Sequence, residues 1–171
     1  DAYADVPLPI GSGQTCSQPS MVALMLDLLA IRPGNRILEV GAGCGYAAAI
    51  ASFLAGQTGR VIACEIRAAL IPSLIKHLST YPTVSVINAD GSAGLPQYGP
   101  YDCILLSAGV GAAGLDERLF LEQLADDGVL VYPEAEGALY RLVKGEKGVE
   151  RTRLYGVRFV PLLRSSGGES Q

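Results

Sequence analysis

The chain has 171 residues, 49% of them hydrophobic and 18% charged, with a formal net charge of −4. That length holds one domain with a single sizeable core, and this apolar content excludes a disordered chain. An acidic balance with only 13 Lys and Arg, scattered apart from a mild cluster at 141–153, argues against a nucleic-acid surface.

Residues 1–18 form a Pro/Gly-rich lead, expected to be a surface loop. Pro7 and Pro9 hold the residues before them extended, and Gly11 and Gly13 allow turns. Ser17-Gln18-Pro19 offers a helix cap and a first-turn proline. Val22, Met25, Leu26 and Leu29 follow at the spacing of a helix with one buried face, ended by Pro33-Gly34. Residues 36–40 read as a first buried strand, followed by a glycine turn and an Ala-rich helix over 47–55. A second strand spans 60–65, a helix 69–78, a third strand 83–89 and a fourth 101–106. Residues 115–125 read as a helix. Strands at 128–132, 138–144 and 153–163 complete the sheet, and the last two form an antiparallel pair around Gly145-Glu146-Lys147-Gly148. Alternating strands and helices predict an α/β fold with a doubly wound, mostly parallel seven-stranded sheet and a C-terminal antiparallel hairpin. Residues 19–164 are expected to form the domain proper, and 165–171 a flexible tail.

Cys16, Cys44, Cys64 and Cys103 form no Cys-x-x-Cys and have no histidine beside them, so metal spacing is absent. The last three lie in apolar contexts, where Cys behaves as a small buried hydrophobe. A reduced, cytoplasmic setting fits better than a disulfide framework. No apolar run reaches the ~18 residues of a membrane span, and no basic-then-apolar leader opens the chain. The start at Asp1 rather than Met reads as a trimmed fragment. His77 falls inside a helix pattern, away from any strand end, and is read as a surface or partly buried residue.

In an open α/β sheet, ligands bind outside the carboxyl ends of the strands, where the strand order reverses. Gly41, Gly43 and Gly45 follow strand one there, and alternate glycines let the backbone approach a ligand closely. Tyr46 stands where the last glycine of a dinucleotide fingerprint would be, which counts against a nicotinamide enzyme. Glu39, Glu65 and Asp90 close the first three strands. Glu65 lies roughly 20 residues past the turn, the usual place for an acid that accepts ribose hydroxyls. Asp90 can accept an adenine amino proton beside the open backbone of Gly91, and Glu39 suits a cationic ligand end. Each acid alone reads better as a helix cap or a solvated loop charge; the set with the turn reads as a nucleoside site.

Glu39-x-Gly41-x-Gly43-x-Gly45 resembles the S-adenosylmethionine turn of the Rossmann-like methyltransferases. With the segments at 7–19 (Pro-Leu-Pro-Ile-Gly-x-Gly-Gln-Thr-x-Ser-x-Pro), Asp90-Gly91, Pro100-Tyr101-Asp102 and Phe159-Val160-Pro161-Leu162, the chain resembles the protein-L-isoaspartate O-methyltransferase family. The resemblance implies S-adenosyl-L-methionine as cofactor, S-adenosyl-L-homocysteine as product, and methylation of the free α-carboxylate of isoaspartyl residues in damaged proteins. It implies Ser17 as the hydroxyl at the reacting carboxylate, a role that competes with a helix cap. It sets Gln14, Thr15 and Cys16 around substrate and cofactor, and Glu39, Gly41, Gly43, Gly45, Glu65, Asp90 and Gly91 at the cofactor. A carboxylate nucleophile is already ionised at neutral pH, its reference pKa being ~4, so alignment and desolvation replace a base. The expected partner is an isoaspartyl peptide or protein, with no nucleic acid, no membrane and a monomeric chain. Gln18, Ser20, the segment 107–114 and Pro133-Glu134-Ala135-Glu136-Gly137 depart from the family pattern. These departures keep open a related methyltransferase with another acceptor, and the positive mean hydropathy with the expected lack of the family's N-terminal helical region keeps open a cofactor-binding domain without catalysis.

Overall fold

A computed structural model describes residues 4–165. Its first element is a hairpin rather than the expected loop. Strand β1 (Leu8–Gly11) pairs antiparallel with β2 (Gln14–Cys16), Leu8 opposite Cys16. The prolines that keep this stretch extended also preset it for pairing, and positive φ at Gly11, Ser12 and Gly13 closes the turn. Helix α1 (Pro19–Leu29) buries Val22, Met25, Leu26 and Leu29 as its spacing predicts. Its N-cap is Gln18, not Ser17, and no cap side chain bonds back. Asp5 Oδ1 instead accepts the Ser20 N–H at 2.9 Å, a long-range substitute for the cap. The helix stops at left-handed Ala30, before Pro33 is reached.

Seven strands form the main sheet. They are β3 (Arg36–Val40), β4 (Arg60–Glu65), β5 (Val84–Asn88), β6 (Tyr101–Leu106), β7 (Leu124–Pro133), β8 (Glu136–Gly145) and β9 (Gly148–Arg158), in the order β5-β4-β3-β6-β7-β8-β9. The first five pair in parallel, whereas β7–β8 and β8–β9 are antiparallel. The order reverses beside β3, so its carboxyl end faces a crevice. Helices α2 (Tyr46–Ala55) and α3 (Ile71–Leu78) join α1 on one face. There Ala48, Ala51, Leu74 and Leu26 meet Ile37, Ala63, Leu105 and Val131 of the sheet. The other face buries Leu38, Ile104, Leu106, Leu130 and Tyr101 against Phe120 and Leu95. Both faces of the central strands are thus covered, which is why they read as unbroken apolar runs.

Several boundaries move, most of all in the C-terminal half. Helix α4 covers only Glu117–Leu121, not 115–125, because Leu124 is already paired with Tyr101 in β7. Gln123 fixes this point: its Nε2 donates to Ala93 O and Leu119 O, and its own carbonyl accepts the Tyr101 N–H. Strand β9 begins at Gly148, directly after the turn, because the hairpin pairs Gly145 with Gly148. The segment 159–163 therefore leaves the sheet and crosses the carboxyl ends of β6 and β7. Phe159 N–H donates to Ala135 O, Gly109 N–H to Val160 O and Leu162 N–H to Gly109 O. The expected tail at 165–171 lies outside the described residues except for Ser165, whose N–H donates to Asp90 Oδ2 at 2.6 Å. Among the described residues no helix is long and apolar enough to cross a membrane, and no group of three His, Cys, Asp or Glu is placed to hold a metal ion.

Candidate active site

The chain leaves β3 at Val40 and turns against β4, with Gly41 N–H and Ala42 N–H both donating to Cys64 O at 2.9 and 3.0 Å. Gly41 and Gly43 have φ of 82° and 54° and line the main pocket. A Cβ on Gly43 would meet Ile10 Cδ1 at 2.9 Å, so the β1–β2 hairpin closes down on bare backbone. Gly45 differs from the expectation. It lines no part of this pocket, and its Cβ would strike Leu74 and Leu78 at 2.9 Å. Its lack of a side chain lets α2 sit close to α3.

Glu65, at the end of β4, is 5% exposed. Its Oε2 accepts the Gly43 N–H at 2.9 Å and its Oε1 the Arg67 N–H at 2.8 Å. Each oxygen keeps a further lone pair for a hydroxyl in the pocket. The acid and the glycine turn, 22 residues apart in sequence, are therefore one unit. The pocket they share is also walled by Ile10, Gln14, Thr15, Gly91 and the 160–163 segment. A Cβ on Gly91 would strike Val40 Cγ1 at 2.8 Å, so only glycine lets the chain pass the end of β3.

Asp90 is placed otherwise than expected. Its Oδ1 accepts the Ser92 N–H at 2.8 Å and its Oδ2 the Ser165 N–H, and it is not among the pocket-lining residues, although Ala89 and Gly91 are. Burial pushes its carboxyl up, but the hydrogen bonds from Ser165 and Ser92 outweigh that and hold it below the ordinary value.

Glu39 is 2% exposed and borders a second cavity of about 310 Å³ with Thr15, Cys16, Ser17, Cys44 and Ser107. Ser107 Oγ donates to its Oε1 at 2.7 Å, while Oε2 has no partner. Burial pushes this carboxyl up to about 8, against the opposing Ser107 hydrogen bond. A buried carboxylate oxygen without a donor is costly, and a cationic group beside it removes that cost. Ser17 lines this cavity and an open groove of about 1560 Å³ bordered by Gln18, Met21, Arg158 and Phe159. Thr15 lines both and the main pocket as well. The end of β2 is thus the shared wall of all three spaces.

The residues fit a cationic nucleoside: the Gly41–Gly43 turn for close backbone approach, Glu65 for sugar hydroxyls, and orphaned Glu39 Oε2 for positive charge. Two contributors escaped the sequence reading. Ser107, a hydroxyl directly after the apolar run of β6, carried a usable signal. The wall at 160–163 overlaps a segment that carries the family resemblance, but its place against the pocket depends on where β9 ends.

A sheet of this order with this turn and these acids defines a Rossmann-like, S-adenosylmethionine-dependent methyltransferase fold. The model of the protein-L-isoaspartate(D-aspartate) O-methyltransferase family matches residues 1–167, and the chain belongs to that family. It is 47% identical to a protein-L-isoaspartate O-methyltransferase of Methylorubrum populi over 98% of this chain and 78% of the relative. To protein-L-isoaspartate O-methyltransferase 2 of Archaeoglobus fulgidus it is 42% identical, over 99% and 78%. A Plasmodium falciparum β-aspartate methyltransferase solved with S-adenosyl-L-homocysteine superposes with a TM-score of 0.81 at 26% identity, covering 94% of this chain and 81% of that one.

Proposed function

We infer that this chain methylates the free α-carboxylate of isoaspartyl residues in peptides and proteins, using S-adenosyl-L-methionine. The observation that carries the reading is the position of Thr15 and Ser17, between the pocket that holds Glu65 and the open groove. When bound, the cofactor supplies an activated methyl group on a sulfonium and leaves as S-adenosyl-L-homocysteine. Glu65 accepts the ribose hydroxyls, with Gly41, Gly43 and Gly91 beneath the nucleoside. Glu39 ionises against the positive charge of the cofactor. Gln14, Thr15 and Cys16 line the passage, and the Ser17 hydroxyl donates to the acceptor carboxylate and aligns it. Alignment of two reactants lowers a barrier by about 7–11 kcal/mol, and the 160–163 segment keeps water from one side of the pocket. Asp90 reaches an adenine amino group only if Ser165 releases its Oδ2.

The acceptor is a peptide rather than a nucleic acid, a reading supported by the net charge of −4. The monomeric reading rests on the pocket-lining residues of this chain, which include Glu65, the glycine turn, Thr15 and the 160–163 segment. Four free cysteines support a reducing, cytoplasmic setting. Incubation with methyl-labelled cofactor and an isoaspartyl peptide tests the reading. It predicts a base-labile methyl ester on that peptide and none on its normal aspartyl counterpart; no ester on either rejects it.

A further inference from the structure

Among the described residues, three buried side-chain nitrogen or oxygen atoms have no hydrogen-bond partner: Glu39 Oε2, Gln123 Oε1 and Arg67 Nε. Gln123 is anchored through its amide nitrogen, which donates to Ala93 O and Leu119 O, and Glu39 faces the positive charge of the cofactor. Arg67 has no such account. It stands two residues past Glu65 and lines the main pocket with Glu65 and Ile66. Its backbone is committed: the N–H donates to Glu65 Oε1 at 2.8 Å, and the carbonyl accepts the Leu70 N–H at 2.9 Å. Asn88 Nδ2 pins the same stretch, donating to Glu65 O and Ile66 O at 2.7 and 3.2 Å. The half-buried side chain is not committed, and it enters no ion pair among the described residues. A guanidinium carries five N–H donors and no acceptor, and a buried donor left unmet is costly.

Whatever meets this donor must also suit Glu65, because the two residues line the same pocket. A carboxylate or phosphate that satisfied Arg67 would be repelled by Glu65, and an ammonium that satisfied Glu65 would be repelled by Arg67. A hydroxyl suits both, since it donates one proton and accepts at two lone pairs. We propose that Arg67 is a cofactor-binding residue, whose guanidinium donates to a ribose hydroxyl of S-adenosyl-L-methionine that gives its own proton to Glu65. The assignment rests on the cofactor reading above and adds the donor that a carboxylate cannot supply. Arg67 Nε is covered in the empty pocket; no hydrogen bond holds the side chain, so a change of rotamer brings the guanidinium to the sugar. The hydroxyl is then held as donor and acceptor at once. A ligand that lacks it leaves two protein groups unmet, so the pair selects ribose over deoxyribose more sharply than the acid alone would.

The test is a cycle between the side chain and the sugar, run on the full chain by titration calorimetry. Wild type and Arg67→Met, which keeps the backbone N–H to Glu65 and an apolar stem, are each titrated with S-adenosyl-L-homocysteine and with its 2′-deoxy and 3′-deoxy analogues. The variant should bind S-adenosyl-L-homocysteine roughly tenfold more weakly than wild type. That deficit should shrink to about twofold or less with the analogue that lacks the hydroxyl Arg67 meets. The empty variant should melt no lower than wild type, because an unmet donor has no partner to lose. An undiminished deficit with both analogues places Arg67 against the base or in the packing and overturns the assignment. Equal affinity of variant and wild type for S-adenosyl-L-homocysteine also overturns it, as does a fall of several degrees in the melting temperature of the empty variant. A wild-type chain that binds no S-adenosyl-L-homocysteine rejects the cofactor reading, and the assignment with it; a wild type that binds while the cycle shows no coupling rejects the assignment alone.

Discussion

At the scale of single residues, Glu39 and Glu65 share a fold position and differ in their partners. Both oxygens of Glu65 accept well-formed backbone N–H hydrogen bonds, whereas Glu39 Oε2 has none of that geometry and its carboxyl draws only weak support from the Ala48 N–H. The buried Glu39 carboxyl titrates at about 8 instead of near 4.5, so between those values the folded chain holds a proton that the unfolded chain has released. Its contribution to stability is complete below the lower value and is lost as pH rises through the upper one. The unfolding free energy from urea titrations between about pH 5 and about pH 8 should fall by up to ~1.4 kcal/mol per pH unit from this group. Glu39→Gln should flatten that slope. A cationic cofactor favours the ionised form, so its binding should tighten as pH rises toward 8 and release a proton; titration calorimetry in two buffers of different ionisation enthalpy reads this. Glu65→Ala should weaken cofactor binding by about 1–3 kcal/mol, since ribose hydroxyls and the Gly43 N–H both lose an acceptor. Ser17→Ala should leave cofactor affinity nearly unchanged and lower kcat severalfold, because Ser17 is not the cap of α1. Equal loss of both would return it to a structural role.

At the scale of elements, the three glycines of the turn separate into two jobs. Gly41 and Gly43 border the pocket, while Gly45 lies against Leu74 and Leu78. Gly45→Ala combines a strained φ of 85° with that overlap, and should cost about 1–3 kcal/mol of stability. A chain of this size then loses about 2–4 °C in Tm per kcal/mol, and calorimetry should show that drop with the cofactor affinity of the folded protein largely kept. Strands β3, β4 and β6 were legible to the residue because both their faces are buried, which enforces continuous apolar runs. Helix α4 was overestimated because Leu119, Leu121 and Leu124 keep a helical spacing although Leu124 is taken by β7. Tertiary pairing overrides local periodicity there.

At the scale of the molecule, the ends of the chain complete the site that its middle begins. The β1–β2 hairpin brings Gln14, Thr15 and Ile10 to the pocket from one side, and residues 160–163 wall it from the other. A chain ending at Arg158 should keep the sheet, since β9 is whole, yet bind S-adenosyl-L-homocysteine roughly tenfold or more weakly for want of that apolar wall. Titration of the shortened and full chains side by side checks it, with circular dichroism as the control for folding.

The alternation of strands and helices, the glycine turn with Glu39 and Glu65 at strand ends, and the 7–19 segment that carries the family resemblance are all readable along the chain. These are local signals: a two-sided apolar run, a backbone that must lack Cβ, an acid at a fixed distance from a turn. It took the folded arrangement to show that Gly45 packs a helix, that Asp90 holds Ser165 instead of facing the pocket, and that Cys16 and Cys44 border one cavity with Glu39. Each of those depends on which distant residue arrives at a given place, and no periodicity along the chain encodes the arrival.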